Sequence, residues 1–232
     1  MKQFEYPGGI YIIGDVHGDY RFLKNLIRII SNEDKKSLII HVGDFGCGMT
    51  DNSSQILLNC DARDHNVVIY TIRGNHDDPR YFAEGQSYDS LKFIPDYTYE
   101  KINGYTFAFI GGATSIDRHL RRIGIDLFEG EELRPGPLKK ADVLISHTAP
   151  TYVAPINDDD TLRRIVRSYC SNPKFQDRLF HDLCKERRLM NDIVQGIQPD
   201  YMYYGHFHSS DTGEEVAGLK WRLLARHEWC KF

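Results

Sequence analysis

Short runs of apolar, largely β-branched residues recur along this chain, and five of them end on a turn that carries Asp, Asn or His. Ile10–Ile13 runs into Gly14-Asp15, Leu38–Val42 into Gly43-Asp44, and Val67–Ile72 leads to Gly74-Asn75-His76. Val143–Ile145 leads to Ser146-His147 and Tyr201–Tyr204 to Gly205-His206. Four to six apolar residues bounded by turn residues predict buried strands, and Thr106–Ile110 and Leu219–Leu224 predict two more. Helical patterns lie between the first strands. Phe22, Leu23, Leu26, Ile27 and Ile30 follow Asp19 at i, i+3/i+4 spacing, and Ile56, Leu57 and Cys60 share a shorter face. Alternating strands and helices predict an α/β domain whose functional loops gather at the carboxyl ends of the strands.

The stretch from about Asp158 to Ile197 reads differently. Leu162, Ile165, Val166 and Tyr169 repeat at helical spacing, as do Phe175, Leu179 and Leu183, then Met190, Ile193, Val194 and Ile197. Asp158–Asp160 cap and charge the first turn, and Pro173 suits a helix start. Two or three helices are therefore expected at about 158–197, inserted before the last motif, as a return crossover in preference to a cap over a site. The 232 residues read as a single domain.

Composition removes several classes of function. Lys plus Arg number 29 against 33 Asp plus Glu, a net charge of −4, so there is no chain-wide basic footprint for nucleic acid. The absence of any run of 18 apolar residues excludes a helical membrane span. The first residues, MKQFEYPGGIYII, contain no apolar stretch of the length a secretory signal needs. The five cysteines, Cys47, Cys60, Cys170, Cys184 and Cys230, form no CxxC pair and read as free thiols, so a cytoplasmic location is expected.

The five turns are GDVHGD (14–19), GDFG (43–46), GNHD (74–77), SH (146–147) and GHFH (205–208). Together they bring carboxylates, an amide oxygen and imidazoles to strand ends. That is the mixture of hard oxygen and nitrogen donors a divalent metal pair takes. Such a pair, about 3.5–4 Å apart, binds phosphate oxygens and lowers the pKa of a water. Taken singly, a His or Asp at a strand end is a capping or hydrogen-bonding group. Taken jointly, the DxH, NH and HxH spacings have no comparable structural explanation. His41, His65, His119, His181 and His227 match no motif and read as ordinary histidines.

The ordered set GDxHG, GD, GNH(D), H, GHxH resembles the calcineurin-like metallophosphoesterase superfamily, over residues 10 to about 208. The resemblance implies a four-layer α/β/β/α sandwich and a phosphoric ester hydrolase with two divalent metal ions. It implies manganese before iron, zinc, cobalt or nickel. By the same resemblance Asp15, His17 and His208 would hold one metal, Asn75, His147 and His206 the other, and Asp44 would bridge them. His76 would stay off the metals and protonate the leaving oxygen, while a bridging hydroxide attacks phosphorus directly.

The sequence departs from the phosphoprotein phosphatase branch, whose second motif reads GDxxDRG. Cys47 and Gly48 stand where that branch has Asp and Arg, which weakens kinship with Ser/Thr protein phosphatases and leaves the partner of His76 unassigned. Arg73 reads as an ion pair behind the site. The stretch GGATSIDRHLRRIG (111–124) resembles a GGxxSxD segment of some bacterial and phage members. It offers Arg118 first, then Arg121, as phosphate clamps, against a solvated basic helix face. In the helical stretch, Arg and Lys alternate with Asp and Glu as on an exposed face. The expected partner is thus a phosphate ester, small or nucleotide-like, with nucleic acid a less favoured partner and no membrane. The alternatives are a nuclease on DNA or RNA ends, a protein phosphatase, and a non-catalytic scaffold of the same fold.

Overall fold

Side chains on the central strands alternate between two apolar layers, and that alternation builds the molecule. The computed structural model describes residues 1–49, 52–83, 87–215 and 218–232. In chain order the elements are β1 (Lys2–Phe4), β2 (Gly9–Ile13), α1 (Tyr20–Ile30), β3 (Ser37–His41), α2 (Asn52–Asp64), β4 (Val67–Thr71) and α3 (Arg80–Ala83). Then follow β5 (Leu91–Phe93), β6 (Thr98–Ile102), β7 (Tyr105–Ile110), a 3-10 turn at Arg118–Leu120, and β8 (Val143–Ser146). The chain closes with α4 (Asp159–Tyr169), α5 (Pro173–Ile197), β9 (Tyr201–Tyr204), β10 (Asp211–Glu214), β11 (Lys220–Leu223) and β12 (Trp229–Lys231).

Two sheets form, ordered β1-β6-β7-β8-β9-β11-β10 and β12-β2-β3-β4-β5. Strands β2 to β5 run parallel, as do β7, β8, β9 and β11. Ile10, Ile12, Leu38, Ile40 and Tyr70 point from the smaller sheet into a core shared with Phe107, Phe109, Val143 and Ile145 of the larger. On the opposite face, Ile13, Ile39, Val67 and Ile69 pack against Leu23, Leu26 and Ile27 of α1 and Leu58 of α2. The outer face of the larger sheet, through Ala108, Ile110, Leu144 and Met202, is covered by Met190, Ile193, Val194 and Ile197 of α5. This is the expected four-layer α/β/β/α sandwich. Each fully buried Leu or Ile in these layers contributes roughly 1.5–3 kcal/mol.

The helices at 159–197 divide the two roles the sequence left open. α5 is the crossover between the parallel neighbours β8 and β9, started by Asn172 and Pro173 and ended by Gln198 in the left-handed region. α4, capped by Asp158, whose side chain accepts from the Thr161 amide, rests on α5 through Leu162 and Val166. Tyr169 and Phe175, placed by spacing on buried faces, are instead exposed. The face assigned to α2 also differs: Ile56 and Leu57 are exposed, and Gln55, Leu58, Asn59 and Ala62 are buried. The reason is polar: Asn59 Oδ1 accepts from the amides of Ser90 and Leu91 beside β5, which turns its side of the helix inward.

Candidate metal centre

The carboxyl ends of β2, β3, β4, β8 and β9 meet at one edge of the sandwich, and all seven sequence-predicted ligands lie there. Close backbone approach is part of the construction. A Cβ on Gly74 would lie 2.1 Å from Asp44 Oδ1, and one on Gly205 would lie 2.2 Å from Asp15 Oδ1. His17, Asp44, His206 and His208 hold φ of 47°, 59°, 71° and 52°. This left-handed region is costly for residues with a Cβ, and such strain gathers where function demands it.

Two donor clusters result. Asp15, His17, Asp44 and His208 offer ligand atoms that all lie within 4.8 Å of one another. His208 Nε2 is 3.2 Å from Asp15 Oδ2, His17 Nε2 is 2.9 Å from His208 Nε2, and His17 Nε2 is 3.7 Å from Asp44 Oδ2. The second cluster surrounds Asn75 Oδ1, which is 3.1 Å from His147 Nε2 and 2.9 Å from His206 Nδ1. His147 Nε2 is also 3.3 Å from Asp44 Oδ1. Asp44 thus presents one oxygen to each cluster. His41, His65, His119, His181 and His227 stand outside both.

The polar accounting fits cations. Asp44 Oδ2 is buried with no hydrogen-bond partner among the described residues. His147 donates Nδ1–H to the Val42 carbonyl at 2.8 Å, which aims the Nε2 lone pair at the oxygens of Asn75 and Asp44. Acceptors face one another there, and a cation between them is the arrangement that satisfies all three. Burial works against charge on His147, yet Asp44 and Asp15 raise its pKa to about 9, so without metal a proton on Nε2 fills that place at neutral pH and must leave when a cation binds. Burial lowers the His206 pKa well below the ordinary value, and lowers that of His17 to about 4, keeping both rings neutral as metal ligands require.

His76 sits beside the clusters, its backbone amide donating to Asp44 Oδ1 at 2.8 Å. Its ring packs edge-on against His17, with centroids 4.8 Å apart. The two candidate clamps of the 111–124 stretch, Arg118 and Arg121, separate. Arg118, expected first as a clamp, is held by Glu131 at 3.2 Å, Glu132 at 3.1 Å and Asp182 at 3.4 Å, and does not line the cleft over the donors. Arg121 does line it: its Nη2 lies 2.6 Å from His76 Nε2 and 2.6 Å from Asp117 Oδ1. Because arginine only donates, His76 Nε2 is the acceptor in this contact. Arg73 pairs with Asp96 at 2.8 Å and donates to the carbonyls of residues 130, 131 and 132, the structural role its position behind the site suggests.

Sequence reasoning missed three supporting groups. Asp77 is fully buried, and its carboxylate accepts from the amides of Phe45, Gly46, Cys47 and Gly74, lacing the second and third motifs together. The signal was the fourth letter of GNHD. Ser115 and Glu131 stand behind Asn75, and no local pattern joins residues 16 apart in irregular chain.

The cleft over the donors measures about 710 Å³. Its lining includes His17, Asp44, Asn75, His76, Arg121, His206 and His208, together with Ile156, Leu162, Ile165, Leu183 and Phe207, which belong to one apolar cluster.

A family model described as calcineurin-like phosphoesterase matches residues 9–210. No curated protein sequence gives a significant match. Among solved structures, the chain is similar to a protein serine/threonine phosphatase from Saccharomyces cerevisiae with similarity to human phosphatase PP5. That similarity has 15% identity and a TM-score of 0.40, covering 97% of this chain and 70% of that one.

Proposed function

The chain belongs to the calcineurin-like phosphoesterase family and is a metal-dependent phosphoesterase, and on that premise we propose that it acts on small or nucleotide-like phosphate esters. The observation that carries this reading is the mixed lining of the cleft, in which charged and imidazole groups at the donors meet an apolar cluster of Ile156, Leu162, Ile165, Leu183 and Phe207. Its volume is that of a site for one small organic molecule. Three arginines line it. Arg121 is paired with Asp117, and Arg187 is buried and donates to the carbonyls of Pro150 and Ile156, so only Arg226 is exposed. A tract that neutralises successive backbone phosphates needs more cations than that, which weighs against the nuclease alternative. The presence of His76 and all seven ligands weighs against a scaffold.

Asp15, His17 and His208 with Asp44 would hold one divalent ion, and Asn75, His147 and His206 with Asp44 the other, manganese being the favoured metal. Such a pair supplies charge neutralisation on phosphate oxygens and a water acidic enough to serve as nucleophile at neutral pH. The protein's own groups do the rest. Asp44 holds the His76 amide and so places its ring at the leaving-group side. Arg121, drawn to the incoming phosphate, frees Nε2 of His76 to take up a proton from solvent and pass it to the leaving oxygen. The apolar cluster seats the organic part and excludes water from it. Five free cysteines, three of them buried, support the cytoplasmic location.

The test is a parallel rate comparison with Mn²⁺ on p-nitrophenyl phosphate, its bis-ester, a 2′,3′-cyclic nucleotide, a phosphopeptide and a short oligonucleotide, with Asp44→Asn as blank. The small esters should turn over fastest. Oligonucleotide cleavage that dominates and falls steeply with salt would make the protein a nuclease. Phosphopeptide turnover that dominates would make it a protein phosphatase, and nothing above the blank would return the scaffold.

A further inference from the structure

Asn75 can present either end of its amide to the centre, and only one end ligates a cation. Its Nδ2 donates to Ser115 Oγ at 3.0 Å, which leaves Oδ1 facing His147 and His206. Ser115 Oγ in turn donates its single proton to Glu131 Oε2 at 2.5 Å, while the Ser115 amide donates to Glu131 Oε1 at 3.0 Å. With its proton committed, the hydroxyl keeps its lone pairs for Asn75 and for Arg121 Nη1, 3.2 Å away. Arg118, 3.2 Å from Glu131 Oε1, holds the carboxylate from behind. Asn75, Ser115 and Glu131 are 2%, 0% and 1% exposed, so water does not stand in for any of them.

We propose that Ser115, oriented by Glu131 and Arg118, is the positioning residue for the Asn75 half of the metal centre. The inference rests on the reading of Asn75 as a ligand. It accounts for the 111–124 stretch differently from a phosphate clamp: Arg118 acts three hydrogen bonds away from Asn75, through Glu131 and Ser115. Groups that orient a ligand from behind change metal affinity by about 10–100-fold when removed. A hydroxyl that only filled space would leave affinity unmoved.

The experiment is Mn²⁺ titration of the metal-free protein by calorimetry, with electron paramagnetic resonance of the same samples to separate a coupled ion pair from an isolated ion. Wild type, Ser115→Ala, Ser115→Thr, Glu131→Gln and Asn75→Ala are compared. Ser115→Ala should weaken one of two Mn²⁺ sites about 10–100-fold and replace the coupled signal with that of a single ion. Ser115→Thr, which keeps the hydroxyl, should restore the pair, and Glu131→Gln should fall between them. Glu131→Gln, isosteric with the native side chain, gives the reading should Ser115→Ala fold poorly. If Asn75→Ala weakens one site while Ser115→Ala and Glu131→Gln bind both ions as wild type does, the positioning role is wrong and the ligand reading stands. If Asn75→Ala itself binds both ions normally, the ligand reading and the inference fall together.

Discussion

His76 and Arg121 share one proton position, and the side chains around them set how each variant should behave. His76→Ala leaves both donor clusters intact, so the protein should keep its metals. Turnover should fall by about 10²–10⁴ on alkyl phosphates, and much less on nitrophenyl esters, whose leaving group needs no proton. Steady-state rates on the two ester classes check this; an equal loss on both would remove His76 from the proton transfer. Arg121→Ala should raise KM for the same esters while Mn²⁺ affinity stays as in wild type, because Asn75 still has Ser115. The seven donor residues that the fold brings together were legible in the sequence because each stands within a few residues of the end of an apolar run, with glycine or serine beside it. The roles of Asp77 and Ser115, both inside quoted motifs, and of Glu131 were not. Each does its work through hydrogen bonds to chain that is distant in sequence, and a lone Ser or Glu in an irregular segment carries no spacing to reveal that.

Among the elements, α4 is the one whose sequence serves two masters. Leu162 and Val166 bury against α5, while Leu162 and Ile165 also line the cleft. Ile165→Asp should therefore raise KM for aryl and nucleoside phosphates about tenfold, the loss of about 1.4 kcal/mol of apolar contact. Competitive inhibition by inorganic phosphate, which reports the charged groups alone, should be unchanged. A matching loss of phosphate affinity would mean that the substitution disturbed the centre rather than the apolar cluster. The strands that carry motifs were readable from their apolar runs. The short strands β1, β5, β10 and β12, three or four residues each, were not, since too few residues repeat to set a period. The face of α2 was misread because an inward-facing Asn59 outweighs two apolar side chains when it satisfies strand amides.

For the whole molecule, buried charge beneath the cleft links stability to pH. Glu186 on α5 is fully buried, accepting from Thr114 Oγ1 at 2.6 Å, and burial raises its pKa from 4.5 to about 7. The folded state thus holds this proton more tightly than the unfolded state. The associated stability is complete below the unfolded pKa and is lost as pH rises through about 7. In the metal-free protein, Glu186→Gln should match wild type more closely at pH 5, yet exceed it by roughly 1–3 kcal/mol at pH 8. Urea unfolding at the two pH values checks this, and a pH-independent difference would contradict it.

The two sheets exist, in this account, to deliver five strand ends to one place where Asp44 can serve two ions at once. The measurement that bears on it most directly is the number of Mn²⁺ ions bound per chain in wild type and in Asp44→Asn, with p-nitrophenyl phosphate turnover recorded on the same samples. Two ions in the wild type, with metal and turnover lost together in the variant, is the predicted result. Asp44→Asn retaining both ions, or a wild type that hydrolyses the ester with no metal bound, would contradict it.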